Sequence, residues 1–397
     1  MSRRFDVVVV GAGMVGLTLA ARLASGTGRE SLRVTVVDAG ERPSISADDD
    51  VSLRVSAIAN GSAELLQSVG AWPEERLSPY ECMRVWDESD SADSPSALCF
   101  EAAEFSVPQL GYIVENVVLR DALLRQLDDM DVELMFASPI HSLRLQNRRY
   151  AIEFEDGIKR QADLVVGADG SRSFVRSAVG IETRDWAIDQ SAFVTHLSPE
   201  HGHQATAWQR FLRDGPLGIL PLADGRVSVV WSTRPGVASR ALEATDAVLG
   251  EMLTAASDEV LGALTVAGPR GAFPLGARHA ERYVKPGLAL IGDAAHAIHP
   301  LAGQGANLGL QDADELAGVL ELALAQGLHP GDLPVLRRYE RARKGANSTM
   351  LHFTTGLNRL FTTDSRLVTE LRVVGMRLFN RSGPIRERAV KVALGVG

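Results

Sequence analysis

FDVVVVGAGMVGLTLAARLASGTGRESLRVTVVD, residues 5–38, reads as strand, glycine turn, helix and strand. FDVVVV (5–10) is a short apolar run bounded by glycine, the pattern of a parallel strand buried on both faces. Residues 14–25 have helical apolar spacing, and RVTVVD (33–38) forms the second strand. Between them GAGMVG (11–16) fits GxGxxG: Gly11 permits the tight turn, Gly13 lets backbone approach a pyrophosphate, and Gly16 lets helix and strand pack closely. Met14 and Val15 complete the first helical turn, whose N–H groups face the phosphates. Asp38 ends the second strand at about the 20-residue spacing of a carboxylate that binds a ribose hydroxyl. The unit therefore predicts dinucleotide binding, without separating NAD from FAD.

GDAAHAIHPLAGQGANLGLQDADELAGVL (292–320) repeats this grammar at the other end of the chain. Asp293 follows an apolar strand (288–291), where open α/β sheets bind ligands. A His-Pro turn and a glycine-rich loop (Pro300, Gly303, Gln304, Gly305, Ala306, Asn307) then open a helix predicted through Leu320. Its first N–H groups and positive dipole end suit something electron-rich. His296 and His299 tempt a metal reading, but Pro300 breaks any helix there and no third ligand is evident. DLVVGADGSRSFVR (163–176) is another strand and glycine turn, offering Asp169 at the strand end. Two carboxylate-bearing strand ends far apart in sequence predict a long cofactor gripped at both ends.

The 397 residues, 45% hydrophobic and 23% charged, suit a soluble protein of two or three units. No apolar run reaches the roughly 20 residues that span a bilayer. The N-terminus mimics a signal peptide, but Asp6 interrupts it, so a cytoplasmic protein is expected. Cys82 and Cys99 lack zinc-like spacing and are expected as reduced thiols. From Arg337 onward thirteen basic residues face four acidic ones, a local charge of +9 in a chain of net charge −9. A basic tail on an acidic body predicts an anionic surface as partner, either membrane or acidic protein. No feature points to nucleic acid.

Helices are predicted over 56–69 and 117–127, and strands at 133–136, 141–146 and 150–157. A mostly antiparallel insertion is expected over about 185–272, and helix from about 336 to the end. The fold class is α/β: a Rossmann-like cofactor domain with an inserted antiparallel sheet and a helical tail. The expected division gives residues 1–75, 105–182 and 272–345 to the cofactor domain, 76–104 and 183–271 to the substrate domain, and 346–397 to the tail. Leu217, Ile219, Leu220 and Pro221 are candidates for an apolar substrate wall.

The three motifs in this order resemble the single-component flavin aromatic hydroxylases, the p-hydroxybenzoate hydroxylase type. RVSAIANGSAELLQSVGAW (54–72), LGYIVENVVLRDALL (110–124), GAFPL (271–275), 286–316 and YERARKGANSTMLHFTTGLNRLF (339–361) resemble the ubiquinone-biosynthesis hydroxylases. The similarity is greatest to the branch hydroxylating 2-polyprenyl-3-methyl-6-methoxy-1,4-benzoquinol, with the branch acting on the earlier 2-polyprenylphenol almost as near. The resemblance implies FAD, O₂ as co-substrate, NAD(P)H as transient reductant, and ring hydroxylation through a flavin C4a-hydroperoxide. It implies that Gly11, Gly13, Gly16 and Asp38 bind the ADP half of FAD, that Arg54 lies along the cofactor, and that Asp293 holds the ribityl chain. Pro300 and the backbone of Gly305 to Asn307 would border the flavin ring, with Gly303 and Gln304 in the oxygen-activation environment. Arg120 stands where many relatives carry Gln, and Asp169 matches a motif linked to FAD and NAD(P)H. A bilayer-resident substrate would suit a protein peripheral on the inner membrane. The sequence leaves a homo-oligomer, and partners in a biosynthetic complex, as open alternatives. A flavin-dependent halogenase or reductase is a rival class, though the halogenases' WxWxIP motif is absent; a non-catalytic flavin-binding scaffold of a biosynthetic complex is another.

Overall fold

The fold is given by a computed structural model in which the described residues are 4–46, 48–299, 304–363, 366–380, 382–383, 386–388 and 390–391. A six-stranded sheet carries the cofactor motifs, in the order Val284–Lys285, Leu288–Leu290, Leu164–Gly167, Phe5–Val10, Leu32–Val37 and Val132–Met135. All neighbours are parallel except the outermost pair, 284–285 with 288–289. Val7, Val9, Val165 and Val166 are fully buried, in a core that this sheet shares with its helices and with a three-stranded antiparallel sheet of Ile140–Gln146, Arg149–Phe154 and Lys159–Ala162. Helix α1 (Met14–Ser25) follows the first strand as the spacing predicts.

The helix predicted over 56–69 begins later than expected. Val55–Ala59 is a strand, antiparallel to Gly111–Glu115, which pairs in turn with Ser78–Tyr80. Only Asn60–Ser68 is helical (α2). Ile58 lies fully buried in this strand, so tertiary pairing overrides the local helical pattern. Helix α3 (Asn116–Asp128) follows, and α4 (Phe174–Ala178) is a short helix after the Asp169 turn.

The inserted sheet has eight strands, in the order His296–Ala297, Leu264–Ala280, Thr183–Pro199, Val227–Thr233, Gly215–Pro221, Thr206–Leu212, Cys82–Asp87 and Leu98–Glu101. Pairing is antiparallel except between 206–211 and 82–87. The expected boundary at residue 272 falls inside the continuous strand Leu264–Ala280. Helices α5 (Pro235–Glu243) and α6 (Asp246–Ala256), which periodicity did not predict, cover one face over Phe193, Leu217, Ile219 and Trp231. The opposite face turns toward the three-stranded sheet of Val55–Ala59, Gly111–Glu115 and Ser78–Tyr80, where Leu220 packs with Ala57 and Ile113.

Among the described residues the inserted sheet is followed by α7 (Gln304–Ala325), α8 (Leu333–Thr362) and α9 (Arg366–Asn380). The tail docks on the body. Phe361 stacks on Phe211 with ring centroids 3.8 Å apart, and Met376 joins the same buried cluster. Arg372 lies 3.3 Å from Asp87, both almost wholly buried. Phe353, Leu360, Val374 and Leu378 remain exposed. Among the described residues no helix is long and apolar enough to cross a membrane. Cys82 and Cys99 are free, with sulfurs 3.8 Å apart on neighbouring strands.

Candidate functional site

The three glycines of the first turn have separate physical roles. Gly11 has φ +111°, and a Cβ there would lie 2.3 Å from Ala168 O. A Cβ on Gly16 would lie 2.1 Å from Gly11 O. Both positions exclude side chains for packing reasons. At Gly13, which precedes α1, a Cβ would meet nothing within 4 Å, and no side chain caps the helix. That open space lies before unpaired N–H groups and a positive dipole end, a ready anion site.

Asp38 braces this turn, accepting from Ala12 N at 2.7 Å and from Gly40 N at 2.8 Å. Arg120 donates to Ala12 O at 2.6 Å and lies 3.8 Å from Asp38, so the sequence-predicted Arg120 does reach the turn. Met14 and Val15 form the first turn of α1. Val15 also links the two ends of the chain: a Cβ on Gly309 would lie 2.6 Å from its side chain, and one on Gly292 3.3 Å away. Only glycines there allow α1, the Asp293 turn and α7 to meet.

Asp293 is the middle residue of a short 3-10 turn, Gly292–Ala294, after Leu288–Leu290. Its side chain is reached by solvent although protein surrounds it, the position of a group on the floor of a cleft. That enclosure raises its pKa, against the pull of His296 and Arg54. It makes no side-chain hydrogen bond among the described residues. Arg54 is exposed and sits 5.8 Å from the centroid of Phe273 on the inserted sheet. Arg54, Phe273 and Asp293 thus face one cleft between the two sheets.

Behind Asp293 lies a buried network that sequence reading missed. Asp312 is fully buried and accepts four hydrogen bonds: Gly292 N at 3.0 Å, His296 Nε2 at 2.5 Å, Arg343 Nε at 2.7 Å and Asn347 Nδ2 at 3.0 Å. Burial alone would raise this carboxyl, but His296 and Arg343 outweigh it and hold it below the usual range. The network fixes the Gly292–Asp293 turn to α7 and α8. A signal existed: Leu308, Asp312 and Leu316 recur at helical spacing, placing a carboxylate on an apolar stripe. His296 is consumed here, and no group of three potential metal ligands occurs among the described residues.

Asp169 accepts from Val175 N at 2.9 Å, bracing α4, while its Oδ1 is buried without a partner. Burial raises this carboxyl too. The Asn307 side chain is a latch, accepting from Ala59 N at 2.9 Å and donating to Ala57 O at 2.8 Å. A Cβ on Gly305 would meet nothing within 4 Å, and Ala306 is half-buried. Pro300 and Gly303 lie outside the described residues, as does the side chain of Gln304.

The expected substrate wall needs correction. Leu217 and Ile219 are 1% exposed and point into the core beneath α5 and α6, and Pro221, on the same side of its strand by alternation, is also buried. Leu220 alone of the four faces the cofactor side. Its face continues through Gly218, Val230 and Val194, which are registered across adjacent strands.

An open helix start at Gly13, carboxylates at Asp38 and Asp293, and an unpaired buried oxygen on Asp169 fit an extended FAD. The fold and site define a flavoprotein monooxygenase. Residues 4–354 match the family model described as FAD binding domain. The chain is 36% identical to 3-demethoxyubiquinol 3-hydroxylase of Escherichia coli (strain K12), over 98% of each chain. It is 37% identical to ubiquinone hydroxylase UbiL of Rhodospirillum rubrum, over 98% of this chain and 89% of that one. Among solved structures, Pseudomonas aeruginosa PqsL shares the fold at TM-score 0.76 and 22% identity, covering 94% of this chain and 99% of that chain. The chain belongs to the FAD-binding domain family and, within it, to the ubiquinone-biosynthesis hydroxylases.

Proposed function

We propose that this protein hydroxylates the ring of a polyprenylated ubiquinone precursor, at the final, demethoxyubiquinol-type step. The observation that carries the reading is the full-length similarity to the Escherichia coli 3-demethoxyubiquinol 3-hydroxylase. The cleft supports it with an Asp293 that no described residue occupies.

In this reading the N-terminus of α1 at Gly13 takes the pyrophosphate, Asp38 the adenosine ribose and Asp293 the ribityl chain. Arg54 and Arg120 lie along the cofactor. The backbone of Gly305, Ala306 and Asn307 borders the ring, where the positive end of α7 steadies negative charge. Bound FAD supplies reduction by NAD(P)H and activation of O₂. The chain's own work is positioning and exclusion of water. The inward sheet face, Val194, Gly218, Leu220 and Val230, gives an apolar wall against which a prenylated ring packs. The cofactor and substrate domains meet at this cleft, and the tail caps both.

The same reading makes the protein peripheral on a membrane. A prenylated substrate resides in the bilayer, and Phe353, Leu360, Val374 and Leu378 are exposed on basic helices. The test is the precursor that accumulates in cells lacking the protein. The demethoxy quinol is expected. Accumulation of the earlier prenylphenol would move the protein to that step, and an unchanged quinone pool would remove it from the pathway.

A further inference from the structure

Arg54 has a tethered backbone and an open guanidinium. Its carbonyl accepts from Asn116 N at 3.0 Å, and Asn116 in turn accepts from Ser56 Oγ at 2.6 Å. Its side chain is exposed and makes no hydrogen bond or ion pair with another described residue, yet it is near enough to Asp293 to act on that carboxyl.

Two residues earlier, Ser52 is gripped at both of its backbone polar groups. Its N–H donates to Glu115 Oε2 at 2.6 Å, and its carbonyl accepts from His196 Nε2 at 3.0 Å. A carbonyl cannot donate, so His196 carries its proton on Nε2. His196 is fully buried, and burial holds it below the usual histidine range, so the ring is neutral. Glu115 ends the strand Gly111–Glu115 and His196 lies in the strand Thr183–Pro199, so two different sheets hold one residue.

Glu115 is itself fixed. Arg76 donates to it from Nε at 2.8 Å and from Nη2 at 2.9 Å, and the same guanidinium reaches Asp49 O at 3.0 Å and Asp50 O at 3.2 Å. The Arg76 backbone stands at φ +62°, a left-handed conformation that a side-chain-bearing residue adopts at a cost. Glycines clear the space on the inserted sheet: a Cβ on Gly268 would lie 2.9 Å from His196 Cβ, and one on Gly271 3.0 Å from Leu53 Cδ2. A buried Arg–Glu pair adds little stability over apolar residues of the same volume, so stability alone does not account for this one.

We propose that Arg76, Glu115 and His196 are positioning residues for the cofactor: they fix Ser52, and Ser52 fixes where the Arg54 guanidinium enters the cleft beside Asp293. The inference rests on the reading that FAD lies along Arg54, and deepens it by naming what aims that cation. A long arginine side chain loses rotamer freedom when it meets a ligand, and a rigid root limits that loss.

The test is a double-mutant cycle on FAD affinity, read from flavin fluorescence as the holoenzyme is diluted. Arg54→Ala and His196→Ala each weaken FAD about tenfold. Because His196 acts through Arg54, the double variant loses little more than either single one, well short of the about hundredfold of independent losses. His196→Gln, which returns a donor toward the Ser52 carbonyl, recovers most of the affinity. Glu115→Gln weakens the hold on the Ser52 N–H without emptying the site, and carries the same cycle should His196→Ala fail to fold. An about hundredfold loss in the double variant overturns the proposal, since the clamp then acts independently of Arg54. So does unchanged FAD affinity in both His196→Ala and Glu115→Gln. Unchanged affinity in Arg54→Ala instead removes the reading that FAD lies along Arg54, and the clamp with it.

Discussion

Asp312 Oδ2 lies 2.5 Å from His296 Nε2, and both side chains are essentially closed to solvent. The contact ties the strand after the Asp293 turn to the middle of α7, and Arg343 completes the charge balance from α8. Removing the carboxylate strands a half-satisfied guanidinium in the interior. Asp312→Ala is therefore expected to cost about 3–5 kcal/mol, read as a lower urea midpoint, with FAD loss following from it. An unchanged midpoint would show that the network does not bear on the fold.

Asp293 behaves in the opposite way. It has no hydrogen-bond partner among the described residues, so the fold does not depend on it. Asp293→Ala should leave the unfolding midpoint of the apoprotein within about 0.5 kcal/mol while FAD retention falls at least tenfold, on the order of one charge-assisted hydrogen bond. The flavin-to-protein absorbance ratio checks this, and full retention would remove the ribityl assignment.

Gly11→Ala and Gly13→Ala separate packing from binding. At Gly11 the positive φ and the 2.3 Å approach to Ala168 O make alanine destabilising. At Gly13 there is room, so the variant folds but places a methyl where the pyrophosphate would lie. The expected result is a normal apoprotein midpoint with impaired FAD binding for Gly13→Ala, and a lowered midpoint for Gly11→Ala.

These contrasts mark what was readable from the chain. Gly11, Gly16 and Asp38 lie within one strand–helix–strand unit, so local spacing carries their arrangement. Asp312 has partners at His296, on a strand, and at Arg343 and Asn347, both on α8, and no local pattern brings these elements together. Strand alternation divided Leu217 and Ile219 from Leu220, but which face looks inward depends on where α5 and α6 pack. Val55–Ala59 escaped because its strand partner, Gly111–Glu115, lies some fifty residues away. The tail's docking rests on the Phe361–Phe211 stack and the Arg372–Asp87 pair, both non-local.

Acid should destabilise the protein well above the carboxylate range. Burial lowers His299 from 6.5 to about 4, and His279 likewise. Both are neutral when folded and become protonated on unfolding below pH 6.5, so their contribution is complete above that pH and is lost as pH falls toward 4. Each is expected to cost about 2 kcal/mol at pH 5. Urea midpoints at pH 7 and pH 5 measure the sum, and His299→Phe should remove roughly half of this histidine-linked difference. Equal stability at the two pH values would contradict the buried, neutral assignment.

Truncating the tail before Leu351 would delete the buried Leu351, Asn358 and Phe361 and so confound folding with membrane binding. Substitution of the exposed Val374 and Leu378 by Glu avoids that. The double variant should keep its unfolding midpoint and bind anionic vesicles about tenfold more weakly, as lost apolar burial dictates. Unchanged vesicle binding would leave the tail as a structural cap alone.

The central claim is that oxygen from O₂ enters the ring of a prenylated quinol held in the cleft beside Asp293. The most direct measurement supplies the FAD-loaded enzyme with NAD(P)H, ¹⁸O₂ and a short-chain demethoxyubiquinol, and reads the product by mass spectrometry. One ¹⁸O atom per product ring, with hydroxylation lost in Asp293→Ala, is the predicted result. Reductant consumed with all the oxygen recovered as hydrogen peroxide, and no hydroxylated product from this or any prenylphenol, would contradict it.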